Sequence, residues 1–72
     1  MKDPIAHQLG KHVRALRKRY KLTQEELAGR SHISLKYIQR IESKNPPDLG
    51  LERLEKLANG FGMPLWKLVK FE

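Results

Sequence analysis

Residues 22–44 read LTQEELAGRSHISLKYIQRIESK and contain two short helix-like patterns joined by about three residues. In the first, Thr23 and Glu26 have the spacing of a capping box, in which each side chain caps the backbone N–H of the other residue. In the second, Ser34 is the predicted N-cap. Because helices of about two turns are marginal in water, both are expected to form only when packed on neighbouring helices.

The second pattern, SLKYIQRIE, divides into an apolar side and a polar side. On a helical wheel Ile38 and Ile41 point inward, whereas Lys36, Gln39 and Arg40 point outward. Lys36 and Arg40 are four residues apart and therefore neighbours on one face, and both can donate to guanine O6 and N7. Gln39 points aside from this pair and is not counted among the base-contacting candidates.

The chain contains 72 residues, three histidines and no cysteine. This length predicts one small domain over residues 1–72, with no room for a separate ligand-sensing domain, so no small-molecule ligand is expected. Without cysteine, and with no two histidines on one helical face, no metal or other cofactor is expected. No catalytic residue set and no phosphate-binding glycine loop is present, which argues against an enzyme.

The net charge of +7 comes entirely from the first part of the chain. Residues 1–44 contain eleven Lys and Arg against four Asp and Glu, whereas residues 45–72 contain four of each kind. Such asymmetry favours a polyanionic partner, either nucleic acid or a membrane surface, and the alternative is a solvated helix face. No apolar run is long enough for a membrane span and no secretory signal is visible, so a cytoplasmic protein is expected.

All strong patterns along the chain are helical, which predicts an all-α fold of five short helices around one core. The first helix is expected to start at Asp3-Pro4 and the last to follow Pro64 as LWKLVKF, residues 65–71. The predicted inner stripe of the first helix is Ile5, Leu9, Val13, Leu16 and Tyr20, and that of the fourth is Leu51, Leu54, Leu57, Ala58 and Phe61. Since the first stripe is needed in the core, a membrane-surface role for this basic helix is disfavoured.

The order of capped helix, short turn and second capped helix at about residues 23–43 is the helix-turn-helix layout. In VRALRKRYKLTQEELAGRSHISLKYIQRIESK and, after a loop, LERLEKLANGFGMPLWKL, the chain resembles the Cro/repressor-type (XRE) helix-turn-helix regulators of bacteria and phages. The resemblance implies a lambda-repressor-like five-helix domain that binds double-stranded DNA sequence-specifically as a transcriptional regulator. It further implies homodimers on operators with two half-sites. We expect the regulator to be a repressor, with an activator as the alternative, and to lie in the cytoplasm of a bacterium, on the nucleoid when bound to DNA.

The resemblance also implies roles for individual residues. The base-contacting candidates are Ser34, Leu35, Lys36 and Arg40, and the phosphate-contacting candidates are Gln24, Tyr37, Lys44 and Asn45, together with Arg14 and Lys18 of the basic first helix. Leu35 can instead cover the edge of the core, and Tyr37 can instead pack in it. Arg17 and Glu42 match a partly buried ion pair between the first and third helices, the alternative being an exposed pair that contributes little.

Three positions depart from the family pattern. His32 stands where glycine is usual in the turn, Lys44 replaces the glycine after the third helix, and Gly50 replaces Ser or Thr before the fourth. If position 32 is left-handed, histidine is among the better-tolerated residues there, at some cost in strain. These departures affect the geometry expected for the turns and the positions expected for the phosphate contacts.

The last helix carries more apolar surface than one core contact needs. Self-association through Trp66, Val69 and Phe71, or covering of the small core, is the simpler explanation. The alternative is a protein-interaction module, either an antitoxin that neutralises a toxin or a subunit recruited to a larger regulator.

Overall fold

The computed structural model describes residues 4–71, which form five helices and no strand. The helices are α1 Ile5–Arg19, α2 Gln24–Ser31, α3 Leu35–Ile41, α4 Leu51–Gly60 and α5 Leu65–Leu68. The predicted all-α fold of five helices is therefore confirmed. Asp3, the expected N-cap of the first helix, lies outside the described residues, and Pro4 immediately precedes α1. No helix within residues 4–71 is long and apolar enough to cross a bilayer.

Two helices are shorter than the sequence predicted. The third was expected over residues 34–43, but Ser34 and Glu42 are its caps and Ser43 N–H bonds back to Arg40 O, three residues earlier. The fifth was expected over residues 65–71 but ends at Leu68, where Lys70 N–H likewise bonds three residues back. In both cases the backbone tightens into a 3₁₀-type turn, which periodicity in the sequence does not report.

The core lies between all five helices. α2 packs on α3 and α4, α4 packs on α5, and α1 packs against α3. The buried apolar side chains are Leu9, Val13, Leu16, Leu27, Ala28, Ile33, Ile38, Ile41, Leu57, Ala58, Phe61, Met63 and Leu68. Short helices that fail alone are thus stabilised together, because each contributes two or more side chains to one shared core or closes its edge.

Three residues of the predicted stripes are not buried. Ile5 is 69% exposed, Leu51 is 75% exposed and Tyr20 is 43% exposed, so the prediction that they belong to the core was wrong. Ile5 and Leu51 are the first residues of α1 and α4, and Tyr20 is the C-cap of α1. A helical wheel gives the rotation of these side chains, but too little of the chain packs over the ends of the helices to bury them. The Tyr20 ring still contacts Phe61, with ring centroids 5.9 Å apart.

The connections between helices contain three left-handed residues, Lys21, His32 and Gly62, and one helix–helix contact depends on a glycine. His32 caps α2 in the left-handed conformation, with φ 59°, and its N–H bonds to Ala28 O. Gly10, in the middle of α1, faces the end of α3, where a Cβ atom would collide with the carbonyl oxygen of Ile41. The turn of the helix-turn-helix therefore tolerates a strained histidine, and α1 approaches α3 closely because residue 10 has no side chain.

His12 connects α1 to the C-terminal segment. Its ring stacks on Phe71 with centroids 4.9 Å apart, and its Nε2 atom is buried without a hydrogen-bond partner among the described residues. Burial lowers the pKa of His12 below the ordinary value of 6.5; a hydrogen bond with the Leu68 backbone opposes this shift, and the positive charge of Arg19 adds to it. The folded protein therefore favours the neutral ring.

We expect this histidine to make the fold less stable in mild acid. Since the pKa is lower in the folded state, the unfolded chain binds more protons as the pH falls below about 6.5, and the free energy of unfolding decreases from there down to the folded pKa. The melting temperature should drop between about pH 7.5 and about pH 5.5, above the range in which carboxylates titrate. The drop should largely disappear in His12→Gln and persist in His32→Asn. An equal drop in wild type and His12→Gln would assign it to another group.

Candidate nucleic-acid interface

The capped starts of α2 and α3 fix the two helices of the motif. Glu26 N–H donates to Thr23 Oγ1 at 3.0 Å, and Thr23 N–H donates to Glu26 Oε1 at 2.8 Å, which confirms the predicted capping box. The same bonds lower the pKa of Glu26. At the start of α3, Tyr37 N–H donates to Ser34 Oγ at 3.1 Å. Each helix thus begins at a defined residue, which sets the rotation of its exposed face.

The exposed side of α3 carries the polar residues that the sequence assigned to it. Lys36, Gln39 and Arg40 are exposed, as is Ser34 at the N-cap, while Ile38 is completely buried. This face has the dimensions of one short helix, and an α-helix is the element that the major groove of B-DNA admits. Its hydrogen-bond donors are the cations of Lys36 and Arg40 and the hydroxyl of Ser34, with the amide of Gln39 beside them.

The two side chains with alternative interpretations, Leu35 and Tyr37, are both half-buried. Each packs against the edge of the core. Core packing is therefore part of the role of both residues. Each also keeps an exposed edge at the polar face of α3.

A charged hydrogen-bond network holds the end of α3. Arg17 of α1 donates from Nε to Glu42 Oε2 at 2.8 Å and from Nη2 to Oε1 at 3.0 Å, so the pair is bidentate. Gln24 Nε2 donates to the same Glu42 Oε1 at 3.2 Å, and Arg17 Nη1 donates to Leu22 O at 2.9 Å. The side chains of Arg17 and Glu42 are only 13% and 4% exposed. Hydrogen bonding to Glu42 also raises the pKa of Arg17, so the guanidinium stays ionised.

The remaining phosphate-contacting candidates are divided between two places. Arg14 and Lys44 line one cleft of about 230 Å³ between α1 and the segment after α3, together with His7, Gly10, Lys11, Glu42 and Ser43. Lys18 lies outside this cleft, exposed further along α1, and Asn45 is exposed in the loop. The acid in the cleft, Glu42, is already engaged by Arg17, so the cleft is a basic surface that suits an anion.

Two residues that line this cleft, His7 and Lys11, were not among the site candidates. Periodicity puts Lys11 on the same basic face of the first helix as Arg14 and Lys18. His7 stands seven residues before Arg14, which is also the spacing of one helical face. The hydrogen bond between His7 Nε2 and Lys44 O joins the start of α1 to the segment after α3. That contact spans 37 positions of the sequence, and no local signal indicates it.

A helix-turn-helix family model matches residues 13–65 of the chain, which is most of its length. The chain belongs to the XRE family of helix-turn-helix proteins. As a member of this XRE family it is a DNA-binding transcription regulator. No curated protein sequence matches it.

Solved structures show the same XRE-type fold. The wild-type restriction-modification controller protein C.Esp1396I has a TM-score of 0.80 and 22% identity, over 94% of this chain and 91% of that one. A tyrosine-to-phenylalanine mutant of that controller protein gives the same TM-score and identity over 96% and 90% of the two chains. At this identity the likeness extends to the fold.

Removing one partner of the charged network should destabilise the whole fold. We expect Glu42→Ala to lower the free energy of unfolding by roughly 3 kcal/mol, because Arg17 is left partly buried without its counter-charge. In a domain of this size the melting temperature should fall by roughly 10–20 °C. Glu55→Ala, which removes an exposed carboxylate of α4, is the matched control and should change it little. Unchanged melting of Glu42→Ala would contradict a structural role for the pair.

Proposed function

We propose that this protein is a sequence-specific repressor that reads the major groove of double-stranded DNA with α3, as a homodimer on an operator of two half-sites. The observation that carries the proposal is the exposed polar face of α3, whose end is held by the partly buried network of Arg17, Gln24 and Glu42. Reading base edges requires donors in fixed positions, and this network fixes them from α1 and α2. In a cell the protein would act on the nucleoid, in the cytoplasm.

Base recognition is assigned to Lys36 and Arg40, supported by Ser34 and Leu35. The two cations can donate to guanine O6 and N7, and a good bidentate pairing of this type contributes about 1–3 kcal/mol of discrimination against other bases. Ser34, at the N-cap, can reach a base edge with its hydroxyl. The exposed edge of Leu35 offers apolar contact to a thymine methyl group, with the rest of the side chain packed on the core.

Affinity that does not depend on sequence is assigned to phosphate contacts. The basic cleft supplies Arg14 and Lys44. Lys18 is exposed on α1, Asn45 is exposed after α3, and Gln24 and Tyr37 are half-buried in the first turns of α2 and α3. Gln24 uses one amide hydrogen on Glu42, so a phosphate contact there would also tie the DNA to the network that positions α3. Phosphate contacts fix the register of the protein and carry no sequence information directly.

Repression and dimerisation follow from separate features. Occupying a promoter is sufficient to exclude the polymerase, whereas activation requires an additional protein contact. Trp66 and Val69 are 63% and 43% exposed, whereas Phe71, the third candidate for self-association, is half-buried against the core and His12. Two copies could approach through this segment because residues 45–72 have no net charge. A two-fold dimer places two recognition helices on related half-sites.

The proposal is tested by mixing the pure protein with sheared genomic DNA at about physiological salt, then recovering and sequencing the bound fragments. Salt matters because non-specific phosphate binding falls steeply as it rises. We expect a few enriched sites, each with two related half-sites. Uniform recovery of all fragments would mean that α3 does not read sequence.

Two variants then separate base reading from phosphate binding on such a site. Arg40→Ala should relax the preference at one base pair in each half-site, losing about 1–3 kcal/mol of discrimination. Lys18→Ala should weaken binding to specific and random DNA alike and reduce the salt dependence. If both variants lost equal affinity on both kinds of DNA, this division of roles would be incorrect.

The exposed apolar residues of the C-terminal segment favour a second candidate, a protein-interaction module. An apolar groove of about 260 Å³ lies beside them, lined by Ile5, Ala6, Leu9, Asp48, Leu49, Leu54, Val69 and Phe71.

Size-exclusion chromatography with light scattering distinguishes the candidates. We expect the mass of a dimer, and Val69→Asp should shift it to the monomer because a charge would enter the interface. A monomeric wild type would point instead to a missing protein partner.

A further inference from the structure

Two arginines from two different helices lie over the ring of Tyr37. The guanidinium carbon of Arg53, in α4, is 4.2 Å from the ring centroid, and that of Arg40, in α3, is 5.9 Å from the same centroid. The two guanidinium groups are therefore no further apart than the sum of these distances. Both arginines are exposed, while Tyr37 is half-buried against the core. The half-buried ring thus lies beside two exposed guanidinium groups.

Two like charges thus lie beside the same ring. Among residues 4–71 neither Arg40 nor Arg53 forms an ion pair with a carboxylate. The acids of α4 nearest in sequence, Glu52 and Glu55, are one and two positions away from Arg53, and such neighbours do not face each other on a helix. Stacking on the tyrosine offsets part of the repulsion, because the ring face attracts cations. An anion between or beside the two groups would offset the rest.

The chemistry of Arg53 suits a phosphate. Its planar guanidinium presents several donors in a rigid fork, and stacking leaves the edges of that fork free to donate. Arg53 also lies next to the recognition helix without belonging to it, since it contacts the Tyr37 ring from α4. When α3 enters the major groove, a cation at its side meets the sugar–phosphate backbone that borders the groove.

We propose that Arg53 is a phosphate-contacting residue outside the helix-turn-helix, positioned beside α3 by stacking on Tyr37. The inference rests on the proposed function, because it requires α3 to approach DNA. It assigns to Tyr37 a second role, as a platform that orients Arg53, in addition to any contact of its own hydroxyl. Arg40 lies over the same ring, so Tyr37 contacts both the arginine assigned to base reading and the arginine assigned to phosphate binding.

The test measures dissociation constants by fluorescence anisotropy on a site recovered from genomic DNA and on a random duplex, at several salt concentrations. Arg53→Ala should weaken both by a similar factor, roughly three- to tenfold near 0.05 M salt. The factor should shrink about threefold between about 0.05 M and 0.2 M salt. The variant releases about one counter-ion fewer on binding, so its affinity depends less steeply on salt. Arg30→Ala is the matched control, since it removes an exposed arginine from the last turn of α2, and its effect should be smaller.

The role of the ring is tested separately. Tyr37→Phe keeps the platform, so Arg53→Ala should cause the same loss in that background. Tyr37→Leu removes the platform, and Arg53→Ala should then cause a smaller loss than in the wild type. Arg53→Lys keeps the charge and should restore only part of the affinity, because an ammonium lacks the planar fork. This last variant does not disturb the core, so the proposal stays testable if Tyr37→Leu does not fold.

Two results would overturn the inference. One is an Arg53→Ala effect equal to that of Arg30→Ala with an unchanged salt slope. The other is a loss confined to the specific site, since that pattern belongs to base reading. Failure of the proposed function looks different: a wild type without sequence preference would still lose one phosphate contact on random DNA when Arg53 is replaced.

Discussion

The bidentate ion pair between Arg17 and Glu42 is the interaction on which the rest of the interface depends. Glu42 is the C-cap residue of α3, and its two carboxylate oxygens accept from α1 and, through Gln24, from the first turn of α2. Three helices thereby meet at one carboxylate that is almost completely buried. Burying two charges is costly, and this pair repays the cost only because its geometry is good and the extra hydrogen bonds satisfy its remaining atoms.

Close backbone contact between α1 and the end of α3 complements that network. Gly10 lets α1 approach the carbonyl of Ile41, one residue before Glu42. The hydrogen bond from His7 to the carbonyl of Lys44 then anchors the chain just after it. The last turn of α3 is therefore held by a charged contact, a steric contact and a backbone contact, while its first turn is held by the Ser34 cap. A helix of only seven residues is fixed at both ends in this way.

Local signals in the sequence were sufficient for the fold. Capping residues located the starts of α2 and α3, and apolar periodicity placed Val13, Leu16, Ile38 and Leu57 in the core. The errors occurred at helix ends: Ile5, Leu51 and Tyr20 have the correct periodicity but stay exposed. Periodicity describes the rotation of a side chain around its own helix. It carries no information about how far the adjacent helix extends.

The candidate site was less accessible to the same reasoning. The face of α3 could be derived from a wheel, and the pairing of Arg17 with Glu42 came from the family resemblance and matches the geometry of the structure. The stacking of Arg53 on Tyr37 and the contact of His7 with Lys44 join residues far apart in the chain. Each depends on the angle at which two helices pack, and that angle is set by the whole core. Side-chain pairs across helices therefore required the structure.

The shortness of α3 couples stability to DNA binding. A seven-residue helix does not persist alone in water, so its exposed polar face exists only while the core around it is formed. A substitution that unfolds part of the population lowers apparent affinity in proportion, even if it touches no DNA. Conversely, DNA that binds only the folded form raises the melting temperature by mass action. Loss of binding after substitution of a buried residue such as Glu42 therefore indicates a lost DNA contact only when the affinity is corrected for the folded fraction. Substitution of an exposed residue such as Lys36 or Arg40 tests the DNA contact directly.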